Sequence, residues 1–134
     1  MRRFAHRQLS RLLNNVAFEA ARTARSPDPD AVHDLRVAAR RFGVTLRSFR
    51  PFLPAAEVKR VRKQLRQLRV ATAAVRDRDI ALDLFRLARV APSSPACARM
   101  LRERKENESA LVDFLGRWQR RSFSSRWRDA LGLA

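Results

Sequence analysis

The stretch "VHDLRVAARRFGVTLRSFRPFLP", from Val32 to Pro54, mixes a histidine and several arginines with leucines and phenylalanines. At about 100° per residue, its polar row falls within roughly 60° on a helix and consists of His33, Arg36, Arg40 and Arg47. Its apolar stripe lies roughly 130° away and consists of Leu35, Ala39, Phe42, Leu46 and Phe49. The pattern predicts a helix that packs on one face and carries a straight basic row, about 20 Å long, on another.

The rest of the chain also has helical periodicity. Its 134 residues and 46% hydrophobic content suit one domain, residues 1–134, with a single core. The predicted main helices run from Arg3 to Arg25, Val32 to Arg50, Ala55 to Arg76 and Pro95 to about Arg121. Asp30 and Ser94 are the predicted N-caps of the second and last of these. We expect an all-α fold, an antiparallel bundle of four to six helices.

Two shorter elements complete this prediction. Asp77 or Asp79 is expected to cap a short fourth helix whose apolar face carries Ile80, Leu84 and Leu87. The segment "SFSSRW" is expected to interrupt the last long helix before a short C-terminal helical piece. Cys97 has no partner at disulfide or metal-ligand spacing, which predicts a small core residue.

The charge of the chain is its most informative property. Thirty Lys and Arg against 13 Asp and Glu give a net charge of +17, and all but three of the 30 are arginines. A planar guanidinium matches phosphate oxygens two at a time, so this composition favours a polyanionic partner. The third predicted helix carries a second basic row on one flank of its apolar seam, formed by Lys59, Arg62, Arg66 and Arg69. Two adjacent rows would line a groove; the alternative is that one or both are solvated faces.

Motifs in the same region resemble a known family. His-x-x-Arg-Val-x-x-Arg-Arg, followed downstream by Arg-Asp-x-Asp and an apolar residue, resembles the pattern of the CHAD family, the conserved histidine α-helical domain. The resemblance covers Arg3 to about Val90 well and residues 96–134 only weakly. It implies an all-helical bundle that binds inorganic polyphosphate through basic residues lining a groove or pore, without catalytic activity.

The resemblance also assigns residues. It places the family's histidine at His33 and its motif arginines at Arg36, Arg40 and Arg41, although the helical phase of Arg41 leans away from the row. The family's Arg-Asp-x-Asp falls on residues 76–79, where the acids are expected to act as helix caps and arginine-orienting partners. Family members typically have two similar helical halves, whereas this chain is long enough for one.

Catalytic and metal sites are not expected. With only His6 and His33, the chain lacks the several histidines and aspartates of a metal-dependent phosphohydrolase, and its three glycines lie too far apart for a phosphate loop. We therefore expect no enzymatic activity, no metal and no cofactor. Arg104 and Glu108 fall on the apolar stripe of the last long helix. They predict either a partly buried ion pair or an Arg104 that reaches the phosphate groove.

The expected partner is inorganic polyphosphate, and the alternative is a nucleic-acid or ribosome-associated binding protein with the same charge. Trp118 and Trp127 lie outside the basic helices, which favours packing or an interface over base stacking. A homodimer is predicted because a chain with one helical half could recover the two-half geometry of the family by pairing with a second copy. The expected surface is the C-terminal region, which has more apolar side chains than a short helical end would bury: Phe114, Trp118, Phe123, Trp127 and Leu131. The sequence has no membrane-spanning run and no secretory signal, so we expect a cytoplasmic bacterial protein, associated with polyphosphate granules.

Overall fold

The computed structural model describes residues 1–133, which form five α-helices and no strand. The helices are α1 (Arg2–Arg25), α2 (Pro29–Ser48), α3 (Ala55–Leu87), α4 (Pro95–Arg120) and α5 (Phe123–Ala130). A 3-10 turn, Arg50–Phe52, joins α2 to α3. Consecutive helices pack against each other, and α4 also packs on α1. The prediction of an all-α helical bundle is confirmed.

Side-chain caps and prolines set where two of the helices begin. The Asp28 carboxylate accepts a hydrogen bond from the Ala31 N–H at 2.9 Å, and Pro29 occupies the first helical position of α2. The predicted N-cap, Asp30, was wrong by two residues and lies in the first turn of α2. Ser94 caps α4 as predicted, because its hydroxyl oxygen accepts from the Cys97 N–H at 3.2 Å. Cys97 is buried, as expected.

The third predicted helix and the short fourth one are a single helix, α3, of 33 residues. The predicted caps, Asp77 and Asp79, both lie inside it, so that prediction was wrong. The buried seam of α3 advances in steps of three and four residues, and Asp79 occupies its next position after Val75. Asp79 is only 6% exposed, and Arg104 of α4 supplies the partner for its buried carboxylate. The last turns of α3 are not packed as predicted: Ile80, Leu84 and Leu87 are exposed.

The C-terminal aromatic residues complete the core. The chain turns at Ser122, which adopts a left-handed conformation (φ 51°), so that α5 folds back on the bundle. Trp127 stacks on Phe42 of α2, with ring centroids 5.9 Å apart and planes within 6° of parallel. Trp118 and Phe123 are also buried, each only 8% exposed. The prediction that these rings form an exposed dimer surface was wrong, because they pack in the core of the chain itself. Dimerisation stays a prediction, but these rings do not provide its interface.

Candidate polyanion-binding groove

A groove runs between α2 and α3 because each helix buries one face and leaves a basic flank beside its neighbour. On α2, Leu35, Phe42 and Leu46 are fully buried, which turns the polar row of that helix toward α3. The floor of the groove is apolar and includes Gly43, Leu65 and Leu68. Its rim brings together seven of the predicted residues: His33, Arg36, Arg40, Arg47, Arg62, Arg66 and Arg69.

Arg36 is held in place across this groove. Its Nη1 donates to the Thr72 hydroxyl at 2.9 Å and to the Arg69 carbonyl oxygen at 3.0 Å. Thr72 is buried, and its own hydroxyl donates to the Leu68 carbonyl oxygen. Burial lowers the pKa of Arg36, and so do the like charges of Arg69 and Arg76, while Asp77 opposes them. The guanidinium remains charged, because arginine does not deprotonate in proteins.

The groove arginines have no acidic partners. No carboxylate lines the groove, and none of its six arginines forms an ion pair within residues 1–133. Elsewhere on the chain, arginines do find acids: Arg22 pairs with both Glu19 and Asp34, which raises its pKa. Uncompensated guanidinium groups over an apolar floor create a strongly positive potential, which concentrates anionic ligands.

Two further predicted residues lie at or beyond the edge of this groove. Lys59 lines an adjoining hollow below the turn between α2 and α3, and Arg62 and Arg66 line both that hollow and the groove. Arg41 is exposed but lines neither, in keeping with its helical phase. The groove therefore continues past Arg66 toward Lys59.

Arg104 does not reach the groove. Its Nε donates to Asp79 at 3.0 Å and its Nη2 to the Pro27 carbonyl oxygen at 2.7 Å, while Nη1 pairs with Glu108. The Arg104 side chain is only 14% exposed. Of the two interpretations of Arg104, the partly buried ion pair is the one that the structure shows. The guanidinium ties α3 and α4 to the loop before α2.

Sequence reasoning missed two residues that the structure places beside the predicted ones. Thr72 lies on the apolar seam of α3, so its spacing indicated packing only, and nothing local marks it as the acceptor for Arg36. Arg50 lines the hollow that contains Lys59. Its position directly before Pro51, at the end of the predicted helix, is the signal that could have indicated a place at the helix junction.

The described residues contain no group of three or more His, Cys, Asp and Glu side chains arranged to hold a metal ion. None of the described helices combines the length and the apolar character that crossing a bilayer requires. The lining of the groove itself provides six guanidinium groups, which are hydrogen-bond donors, and one imidazole. Such groups suit an anionic ligand.

Comparison with known families agrees with the motifs. The CHAD domain model matches residues 6–134, nearly the whole chain. The match therefore extends across α4 and α5, beyond the part that the motif resemblance covered well. The CHAD family is associated with polyphosphate binding. Neither the curated proteins nor the solved structures contain a match to this chain.

Proposed function

The chain belongs to the CHAD domain family, and on this premise we propose that it binds inorganic polyphosphate along the groove between α2 and α3. The observation that carries the proposal is the set of six groove arginines with no carboxylate among them. A solvated surface in a chain with 13 acidic residues would be expected to intersperse both signs. The segregation of charge favours a ligand that neutralises the groove.

The linear geometry of the groove suits a linear phosphate polymer. Residues one turn apart on α2, such as Arg36 and Arg40, advance by about 6 Å along the helix, so successive guanidinium groups can contact successive parts of one chain. Each guanidinium can donate two hydrogen bonds to phosphate oxygens, and each neutralised phosphate releases condensed counterions. Arg36 is already positioned by Thr72, so less side-chain entropy is lost when the ligand binds.

The proposed role is binding without turnover. The residues lining the groove include no carboxylate or cysteine, and Thr72, the hydroxyl among them, is engaged by Leu68 and Arg36. Cleavage of a phosphoanhydride needs a nucleophile with a base, or carboxylates that hold a catalytic cation. His33 alone supplies neither arrangement. Association with polyphosphate stores in the cell would follow from the binding itself.

The groove residues also favour polyphosphate over single-stranded nucleic acid. No phenylalanine or tryptophan lines the groove, whereas proteins that bind single strands stack bases on such rings. A competition experiment tests this distinction: labelled long-chain polyphosphate is displaced by unlabelled polyphosphate or by RNA, at equal phosphate concentration and at several salt concentrations. We expect RNA to need at least a tenfold higher concentration. Equal displacement by the two polymers would refute the proposal in favour of a general polyanion or nucleic-acid binder.

A further inference from the structure

A second cavity lies between α3 and α5, at a part of α3 that does not line the groove. Its volume is about 270 Å³, and its charged lining residues are three arginines, Arg60, Arg121 and Arg126, and one carboxylate, Glu57. None of the residues that line it lines the groove between α2 and α3. The cavity is therefore a separate feature of the molecule, which the proposed function does not use.

Two of these three arginines carry uncompensated charge. Arg60 donates to both carboxylate oxygens of Glu57, at 3.0 and 2.9 Å, so this pair adds little net charge. Arg121 and Arg126 are exposed and form no ion pair with any acid in the part of the chain that the structure describes. The left-handed turn at Ser122 lies between them. The rim of the cavity thus offers two free guanidinium groups to one anionic group.

The interior of the cavity differs from its rim. Its lining also includes Val61, Ala130, Trp118 and Trp127, and the two tryptophan side chains are at most 8% exposed. The Trp127 indole N–H donates to the Gln64 side-chain oxygen at 2.5 Å. Gln64 lines the cavity, and with its oxygen engaged its amide nitrogen remains as a hydrogen-bond donor.

We propose that this cavity binds a mononucleotide, with the base inside and the phosphates between Arg121 and Arg126. A phosphate polymer carries charge along its whole length, and two free guanidinium groups near a carboxylate would leave most of its charged oxygens without partners, unlike the six arginines of the groove. In a nucleotide the uncharged base is separate from the charged phosphates. The base fits apolar walls with a single amide donor, and the phosphates stay at the rim. The volume is slightly below the about 300 to 1,000 Å³ of sites that enclose a whole ligand, which allows one heterocyclic base and leaves the phosphates outside.

The two tryptophans provide the readout, because they are the only ones in the chain and both line the cavity. Their indole N–H signals are followed in ¹⁵N-labelled protein while ADP is added at about 0.15 M salt. We expect a saturable shift of the Trp127 signal. In the R121A/R126A variant, the same shift should need at least tenfold more ADP. The groove variant R40A/R69A, which removes as much charge, should respond like the parent.

Each alternative outcome would overturn the proposal. Inorganic tripolyphosphate is titrated in parallel, and if it shifts the Trp127 signal at the same concentrations as ADP, the cavity is a phosphate site without a place for a base. If neither indole signal shifts with ADP, the cavity is not a nucleotide site. An unchanged response in R121A/R126A, with dispersed indole signals that show a folded core, would remove the two arginines from the site.

Discussion

The Arg36 guanidinium on α2 donates to the Thr72 hydroxyl on α3 over 2.9 Å, and so joins the two walls of the groove. The same nitrogen donates to the Arg69 carbonyl oxygen at 3.0 Å. Arg36 is therefore both a structural link and a member of the basic row. A guanidinium that is already positioned loses less conformational freedom when a ligand arrives than a free one does.

Replacement of Thr72 by valine should weaken polyphosphate binding while leaving the helices intact. Valine keeps the shape of threonine but removes the acceptor for Arg36, so the Arg36 side chain must be ordered when the ligand binds. Ordering one long side chain costs about 0.5 to 1.5 kcal/mol, and because the Arg69 carbonyl still holds Arg36, we expect a loss of about two- to tenfold in affinity. Isothermal titration calorimetry measures the affinity, and circular dichroism the helical content.

A double-mutant cycle with R36A isolates the link between the two walls. If Thr72 acts by positioning Arg36, the T72V change should have almost no further effect on binding once Arg36 is gone. Additive losses in the T72V/R36A variant would show that Thr72 affects binding by another route.

Replacement of Arg104 by methionine should destabilise the fold without changing the groove. The change leaves Asp79, only 6% exposed, as a buried charge without its partner, and breaking a buried pair in this way costs about 3 to 5 kcal/mol. Urea unfolding of R104M measures the loss. At temperatures where the variant is folded, its affinity for polyphosphate should equal that of the parent.

The variant R104M/D79N is the control for the cause of that loss. Asparagine removes the orphaned charge, so the double variant should recover more than half of the stability that R104M loses. If R104M instead kept its stability and lost affinity, Arg104 would have to be returned to the binding site.

The cap of α2 should make stability depend on pH in the acid range. The hydrogen bond from the Ala31 N–H lowers the pKa of Asp28, so the carboxylate is favoured in the folded state. Its contribution is present above the ordinary pKa of an aspartate, about 3.9, and is lost as the pH falls through the lowered folded value. The D28N variant keeps a side-chain oxygen that can accept the hydrogen bond, but it has no carboxyl group to titrate. Thermal unfolding between about pH 5 and 2 should therefore show a shallower fall for D28N, and parallel curves would contradict this role of Asp28.

The helices could be predicted from the sequence where an apolar seam and a cap agree. The start of α4 at Ser94 and Pro95 is an example. The continuation of α3 could not, because Asp79 occupies a seam position where spacing leads one to expect an apolar side chain. The residue that satisfies it, Arg104, lies 25 positions away. An aspartate without a local partner is interpreted as a helix cap. This interpretation predicts a break at a point where α3 is continuous.

In the candidate site too, local helical patterns could be predicted from the sequence and contacts between distant residues could not. Helical phase alone predicts that His33, Arg36, Arg40 and Arg47 form one row, and these residues do line one groove. Contacts between distant segments were not predictable in this way. Trp127 stacks on Phe42 from the far end of the chain, and no local pattern indicates that the C-terminal rings fill the core instead of remaining free for a second copy.

If polyphosphate binds in the groove, and is not attracted diffusely by the net charge of the protein, the loss of groove arginines should weaken binding more than the loss of other positive charges. Two double variants, each without two positive charges, test it by their affinity for long-chain polyphosphate at about 0.15 M salt. R40A/R69A removes groove arginines, and the Arg69 carbonyl that holds Arg36 is retained; R102A/K105A removes exposed charges of α4 that line no part of the groove. We expect at least a tenfold loss for R40A/R69A, since each charge-assisted contact is worth about 1.5 to 3 kcal/mol before screening, and less than about threefold for R102A/K105A. Equal losses in the two variants would contradict the groove and leave only a diffuse attraction to a protein of charge +17.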